Sequence, residues 1–337
     1  MRLENTLALT HGELVNSPFV SNFNTITFDA KAVKRGDLFI AFDENSIEDA
    51  VFNGAYGVIF EKPTQITDSE IAWIKVKNIE DALKRLLRFE LIDKEIIVYQ
   101  CDEIILKLAL QVVTEPNFIA LHGDIKSIYQ ELSNIEHGST ILFNPALTSA
   151  DLFTNIKELP KYAAQDINII EQTLFETSFI YDNIFYERQL LSPFFMPYLE
   201  QLLYLFKILK INFRLRKFTP IDHFEPVFTN KNFEIKDFGT SDKVLIFEKS
   251  VSLIKNEINF LQKQATWAKI IYVLPFTCKD SLDINSVQSE IVFLYKNENE
   301  IKNILKSTLF HFALIVGVDK SILAKPLVRQ IQLTLDF

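Results

Sequence analysis

A turn that cradles phosphate needs glycine for close backbone approach. It also needs a lysine and a hydroxyl at the start of a helix. The stretch FIALHGDIKSIYQEL (118–132) offers Gly123, Lys126 and Ser127 in that order. The second glycine of such a loop is missing and Asp124 intrudes, so the competing reading is an ordinary loop with a solvated lysine. A second strand-to-helix turn, in EIIVYQCDEIILKLAL (95–110), reads Gln100, Cys101, Asp102, Glu103. It has no Gly, Lys or hydroxyl, and its two carboxylates would repel a phosphate. Basic residues gather in KAVKR (31–35), where Lys31, Lys34 and Arg35 either meet a pyrophosphate or form a solvated loop. A second run, KINFRLRK (210–217), alternates basic and apolar residues as an edge strand does. His11, His122, His137, His223 and His311 have no metal-ligand spacing, so no metal site is expected. His223, beside Phe224 and Pro226, reads as a structural corner and not as a general base. Cys101 and Cys278 make neither a disulfide framework nor a zinc site. With Asp102 and Glu103 adjacent, Cys101 reads as an inert thiol. No catalytic residue is assigned.

The chain around these residues has 337 positions and 48% hydrophobic residues, including 30 Phe. That supports sizeable cores in two or three domains and excludes global disorder. A net charge of −9 excludes a uniformly basic nucleic-acid binder. The 8 glycines fall well short of the roughly 24 that average usage gives, so backbone loops that wrap phosphate are scarce. The N-terminus has no apolar signal core. The most apolar stretch, 189–209, carries Pro193, Pro197, Glu200 and Lys207, which argues against a lipid span. The expected location is the cytoplasm.

The hydrophobic pattern divides the chain into three α/β regions, 1–92, 93–218 and 219–337. In the first, strands over 25–28, 37–42, 57–62 and 71–76 alternate with helices over 46–55 and 79–91. In the second, strands at 95–100, 118–121 and 140–143 accompany helices over 102–113 and 196–210. In the third, strands at 243–248, 269–275, 289–295 and 312–318 alternate with helices over 252–265, 299–309 and 322–333. That order implies mostly parallel sheets covered on both faces.

The segment TFDAKAVKRGDLFIAF (27–42), followed by EDAVFNGAYGVIFEK (48–62), resembles the N-terminal domain of the Mur ligases. These are ATP-dependent enzymes that build the peptidoglycan stem peptide, and the type most resembled adds D-alanyl-D-alanine. Asp29, Val33, Gly36, Asp37, Leu38, Phe39, Ala41, Gly54, Ala55 and Glu61 keep the family frame. The order continues through HFEPVF (223–228), 244–262, 267–275 and FALIVGVDKS (312–321) to ILAKPLVRQI (322–331), with a weaker and abridged middle. The resemblance implies a small N-terminal α/β domain, a shortened middle domain and a Rossmann-like C-terminal domain. It also implies that Asp29, Lys31, Lys34, Arg35 and Asp37 lie at the nucleotide end of the first domain.

The family's chemistry is not kept with its frame. The phosphate loop that follows the first domain has become Gln100–Glu103, and SPFFMPYLEQ (192–201) replaces a Gly-x-His-Asn pattern. FEKSVSL (247–253) replaces an Asp-x-Tyr-Asn-Ala-Asn-Pro segment, and Val316–Asp319 replaces a Lys-Gly-Ser-Arg turn. Phe194, Phe195, Met196 and Tyr198 either plug the old pocket or form an exposed patch for a partner. Groups that act as a catalytic unit do not keep partial function when several are lost. The first expectation is therefore a non-catalytic Mur-ligase-like protein. It works by binding a UDP-muramyl nucleotide or another wall-synthesis enzyme, with no cofactor. The second is a diverged active ligase using ATP and Mg²⁺, with Gly123, Lys126 and Ser127 as its residual phosphate loop. The third is an interaction protein with no precursor ligand.

Overall fold

Glycine places the first strands. Gly36, at φ +100°, turns the chain so that Asn24 accepts no side chain beside it and the strand DLFI can begin. The computed structural model describes all residues except 149, 162–165, 216, 280–290 and 324–337. The chain forms two compact units, Met1–Pro160 with Ile208–Phe213, and Lys161–Lys207 with Arg214–Phe337.

The first unit opens with α1 (Leu3–Thr10), β1 (Glu13–Leu14), β2 (Ile26–Thr27), β3 (Leu38–Ile40), α2 (Ile47–Phe52), β4 (Gly57–Phe60), β5 (Ala72–Lys75) and α3 (Ile79–Leu91). Its strands lie in the order β1-β5-β4-β3-β2, parallel except for the β1 edge. Both faces are covered, so β3 and β4 are apolar at every position and fully buried. On one face Phe39, Val58 and Trp73 pack with Ile47 and Ala50 of α2. On the other, Leu38, Ile40, Ile59 and Ile74 meet Leu83, Leu86 and Leu87 of α3. The helical spacing of those leucines sets the apolar stripe, and Asn78 caps the helix by accepting from the Asp81 amide at 2.8 Å.

A second parallel sheet follows in the same unit. It contains β6 (Ile97–Gln100), β7 (Phe118–Leu121), β8 (Thr140–Phe143) and β9 (Ile156–Glu158), in the order β7-β8-β6-β9. Helix α4 (Glu103–Val112) leaves the carboxyl end of β6, and α5 (Ile125–Ser133) leaves that of β7. Ile128, Tyr129 and Leu132 of α5 join α3 in one continuous core. The Tyr129 hydroxyl donates to Glu90 of α3 at 2.7 Å, and burial pushes both groups up in pKa.

The second unit holds an antiparallel sheet of β10 (Asn168–Gln172), β11 (Thr177–Tyr181) and β12 (Ile184–Gln189), followed by α6 (Met196–Leu209). Its main sheet comprises β13 (Glu225–Thr229), β14 (Lys243–Glu248), β15 (Ile270–Pro275), β16 (Val292–Tyr295) and β17 (Phe312–Val316), in the order β13-β14-β17-β15-β16. Only β13 runs antiparallel. Helices α7 (Ile254–Gln264) and α8 (Glu298–Ser307) make the crossovers.

Every strand and helix expected from the alternation in the first region is present within a few residues. The edge strand expected over 210–217 does not form among the described residues. Phe213 makes a single antiparallel bridge to Val113, and Arg216 lies outside them. The closing helix expected over 322–333 lies outside the described residues beyond Leu323. Among the described residues, no helix is long and apolar enough to cross a membrane.

Candidate functional site

Ligands of open α/β sheets bind outside the carboxyl ends of the strands. Of the residues singled out by sequence, Asp29 and Lys31 follow β2, and Gly123, Lys126 and Ser127 follow β7, at such ends, whereas Lys34, Arg35 and Asp37 precede β3 at its amino end. After β2, Asp29 accepts from the Lys31 amide at 3.0 Å and caps a short 3-10 turn over Ala30–Ala32. Asp37 is buried, accepting from Thr25 Oγ1 at 2.6 Å and from the Lys34 amide at 2.8 Å. Both carboxylates therefore shape the loop. Lys31, Lys34 and Arg35 stay exposed on it, and Arg35 Nε donates to the Tyr56 hydroxyl at 3.1 Å. The structure brings the three cations onto one loop and turns Asp37 away from them into the interior.

A crevice of about 390 Å³ opens at the carboxyl ends of β3 and β4. Its charged lining is Asp43, Glu44, Glu61 and Glu80 against Lys62. Glu61 accepts from the Ile79 amide at 3.1 Å, and Lys62 lies 3.8 Å from Glu44. Four carboxylates against one ammonium disfavour an anion at this mouth. Sequence reasoning missed the crevice. Its available signal was the acidic pair Asp43–Glu44 directly following a buried strand.

At the carboxyl end of β7 stand Gly123, Lys126 and Ser127. Gly123 has φ +99°, which opens the chain into α5. Asp124 is the N-cap and accepts from both the Ser127 amide at 2.9 Å and the Ser127 hydroxyl at 2.8 Å. Those hydrogen bonds, with Lys126 nearby, hold the Asp124 carboxyl below the usual carboxylate range. Lys126 folds its ammonium over the Phe42 ring, 4.0 Å from the centroid. The N-terminus of α5 thus already holds an anion, its own. The hydroxyl and ammonium that a phosphate would use are engaged elsewhere.

The β6–α4 turn is closed in another way. Cys101 is buried, and burial followed by the Asp102 charge pushes its thiol up. Asn144 Nδ2 donates to the Cys101 carbonyl at 2.8 Å. Asp102 is the N-cap of α4, and Glu103 in the first turn pairs with Lys107 one turn on. No residue of this turn offers a side-chain cation or hydroxyl to a phosphate.

In the second unit, FEKSVSL places Glu248 at the end of β14 with its side chain fully buried. Glu248 accepts from His223 Nδ1 at 2.8 Å, the Phe224 amide at 3.0 Å and the Ser250 amide at 2.6 Å. These contacts hold Glu248 below the ordinary carboxylate range against its burial. Burial and the Glu248 charge push Glu257 of α7 well above that range. The cluster locks the HFEP corner onto the sheet. Phe194 and Phe195 are buried in this unit, with Phe194 stacked on Phe224 at 5.4 Å and edge-on to Phe260 at 5.6 Å. The expected alternative of an exposed aromatic patch therefore falls, because these rings complete a core.

No family model matches the chain. The UDP-N-acetylmuramoyl-tripeptide–D-alanyl-D-alanine ligase of Rickettsia prowazekii (strain Madrid E) is 37% identical over 91 residues, 25% of this chain. That stretch spans 19% of the relative, about a fifth of its length. A crystal structure of MurF from Acinetobacter baumannii superposes with a TM-score of 0.52 at 10% identity, covering 97% of this chain and 98% of that one. Over that quarter the sequence is similar to the ligase's, and the chain has the α/β fold of the MurF structure.

Proposed function

We propose that this chain is a non-catalytic relative of the Mur ligases. It acts in peptidoglycan precursor synthesis by binding a UDP-muramyl nucleotide through the loop of Lys31, Lys34 and Arg35. The observation that carries the reading is the state of the two helix N-termini at the carboxyl ends of the middle sheet. One is capped by Asp124, with Ser127 as its donor. The other begins with Asp102 and Glu103. A triphosphate needs donors at such a site, and Mg²⁺ would have to compensate both ligand and protein carboxylates. These residues do not fit ATP, and no reaction step is assigned to them.

The first-domain loop supports the binding half of the reading. Asp37 faces inward, Asp29 caps the turn at the surface, and the three cations face solvent. Calorimetric titration with UDP-muramyl tripeptide should give saturable binding that Lys31→Glu and Lys34→Glu together abolish. No heat should accompany Mg-ATP at millimolar concentration. Turnover of ATP with UDP-muramyl tripeptide and D-alanyl-D-alanine would overturn the non-catalytic reading. Retained binding in the double variant would overturn the role of the loop.

A further inference from the structure

We infer that the first unit carries a second ligand site, for a small amphiphilic monoanion, at the C-terminal end of α3, away from the acidic crevice. The inference does not rest on the proposed function. Ile79 and Glu80, at the start of α3, line the acidic crevice, whereas Arg85, Arg88, Phe89 and Leu91 line a cavity of about 500 Å³. Thirteen helical residues separate the two ends by roughly 20 Å. The cavity also touches Ile96 and Asn155, which precede β6 and β9. It therefore sits at the amino ends of the middle sheet, away from the carboxyl ends where nucleotides bind. Its size lies within the roughly 300–1,000 Å³ of small-molecule sites.

The lining is two-sided in chemistry. Leu9 of α1, Phe89 and Leu91 of α3, and Leu152 and Phe153 give an apolar wall. Arg85 and Arg88, three residues apart, present two guanidinium groups from one helix face. Arg88 reaches Asp151 at 3.4 Å through Nη2, but its Nε is buried with no acceptor. Buried N–H groups are almost always paired, and a ligand oxygen would supply the missing acceptor. Arg85 meets Nδ1 of His11. A guanidinium cannot accept a hydrogen bond, so it donates to the lone pair of a neutral imidazole. Its charge has no carboxylate partner among the described residues. Glu95, on the same rim, reaches His137 at 3.4 Å. The two guanidinium groups stand against Asp151 and, on the rim, Glu95, so the charges nearly balance and what is left unfilled is one acceptor at Arg88 Nε above an apolar wall. That combination selects a single carboxylate on an apolar body over a multiply charged phosphate.

The test uses the full chain, with decanoate and decanol as probes of equal length and different charge. Calorimetry at neutral pH should show one saturable decanoate site, with decanol at least tenfold weaker. Arg85→Met and Arg88→Met should each weaken decanoate at least tenfold, and Ala8→Trp, at the cavity mouth, should abolish binding. Circular dichroism checks the fold of each variant, and the decanoate–decanol comparison on the unaltered chain stands without them. UDP-muramyl tripeptide should not displace decanoate. Absence of saturable decanoate binding at millimolar ligand, equal affinity for decanol, or unchanged affinity in both folded arginine variants would overturn the inference.

Discussion

Two turns of the first unit contain the same dipeptide in the same backbone state. Gly36-Asp37 and Gly123-Asp124 each place glycine near φ +100° and follow it with an aspartate that accepts a main-chain amide three residues away. The element that follows decides the rest. Gly36-Asp37 leads into a strand, so the side chain alternates inward and Asp37 is buried on Thr25, leaving Lys34 and Arg35 outside. Gly123-Asp124 leads into a helix, so the carboxylate caps the first turn and occupies the place of an external anion. The first turn keeps its cations available and the second does not. A Gly-Asp pair near a lysine is therefore no measure of phosphate binding until the next element is known.

The comparison can be broken at its inward carboxylates first, where effects are largest. Glu248 is the counterpart of Asp37 in the second unit, and Glu248→Ala removes the acceptor shared by His223 Nδ1 and two amides. We expect a loss of about 3–5 kcal/mol in urea unfolding, because these donors lose their shared charged acceptor. Glu257→Gln, which replaces a buried carboxyl whose charged form is disfavoured by burial and by Glu248, should cost about 1 kcal/mol or less. Asp37→Ala should cost about 3 kcal/mol by the same measurement, because the Thr25 hydroxyl and the Lys34 amide lose a buried charged acceptor. Destabilisation below 1 kcal/mol would mean that the loop does not depend on Asp37.

The outward groups give the smaller effects. Lys31→Glu with Lys34→Glu should shift stability by about 0.5 kcal/mol or less, since both side chains are solvated. The same pair should weaken UDP-muramyl tripeptide at least tenfold in calorimetry. The Asp124 cap should be visible chiefly through pH. Its lowered pKa makes the stabilisation full above about pH 4 and lost as pH falls through the folded-state value. Asp124→Asn cannot ionise, so its melting temperature should fall less steeply than the unaltered chain's on going from about pH 5 to pH 2. Parallel curves would contradict the cap.

Much of the architecture was legible because the strands are short apolar runs between glycine and helix-capping residues. DLFIAF, GVIFEK and KVLIFE became β3, β4 and β14, and the leucine stripe of 79–91 became α3 without change. Helix α5 was hidden. The residues that open it, Gly123 to Ser127, also read as a phosphate turn, and only three-dimensional hydrogen bonding shows Asp124 as the acceptor. The alternation of 210–217 misled, because a strand needs a neighbour along its length and Phe213 finds one bridge only. At the site, residue types were legible but their directions were not. Asp37 and Lys31 were equally eligible ligands in the sequence, and burial separates them. The acidic crevice and the Arg85–Arg88 cavity were invisible because each draws lining residues from distant parts of the chain.

The central claim is that the fold of a nucleotide-using ligase persists here while its phosphate grip is closed by the protein's own carboxylates. The most direct measurement is ADP release from Mg-ATP in the presence of UDP-muramyl tripeptide and D-alanyl-D-alanine, with enzyme and substrates at high concentration. The account predicts no ADP above the protein-free control. Stoichiometric or catalytic ADP formation that depends on both substrates would contradict it.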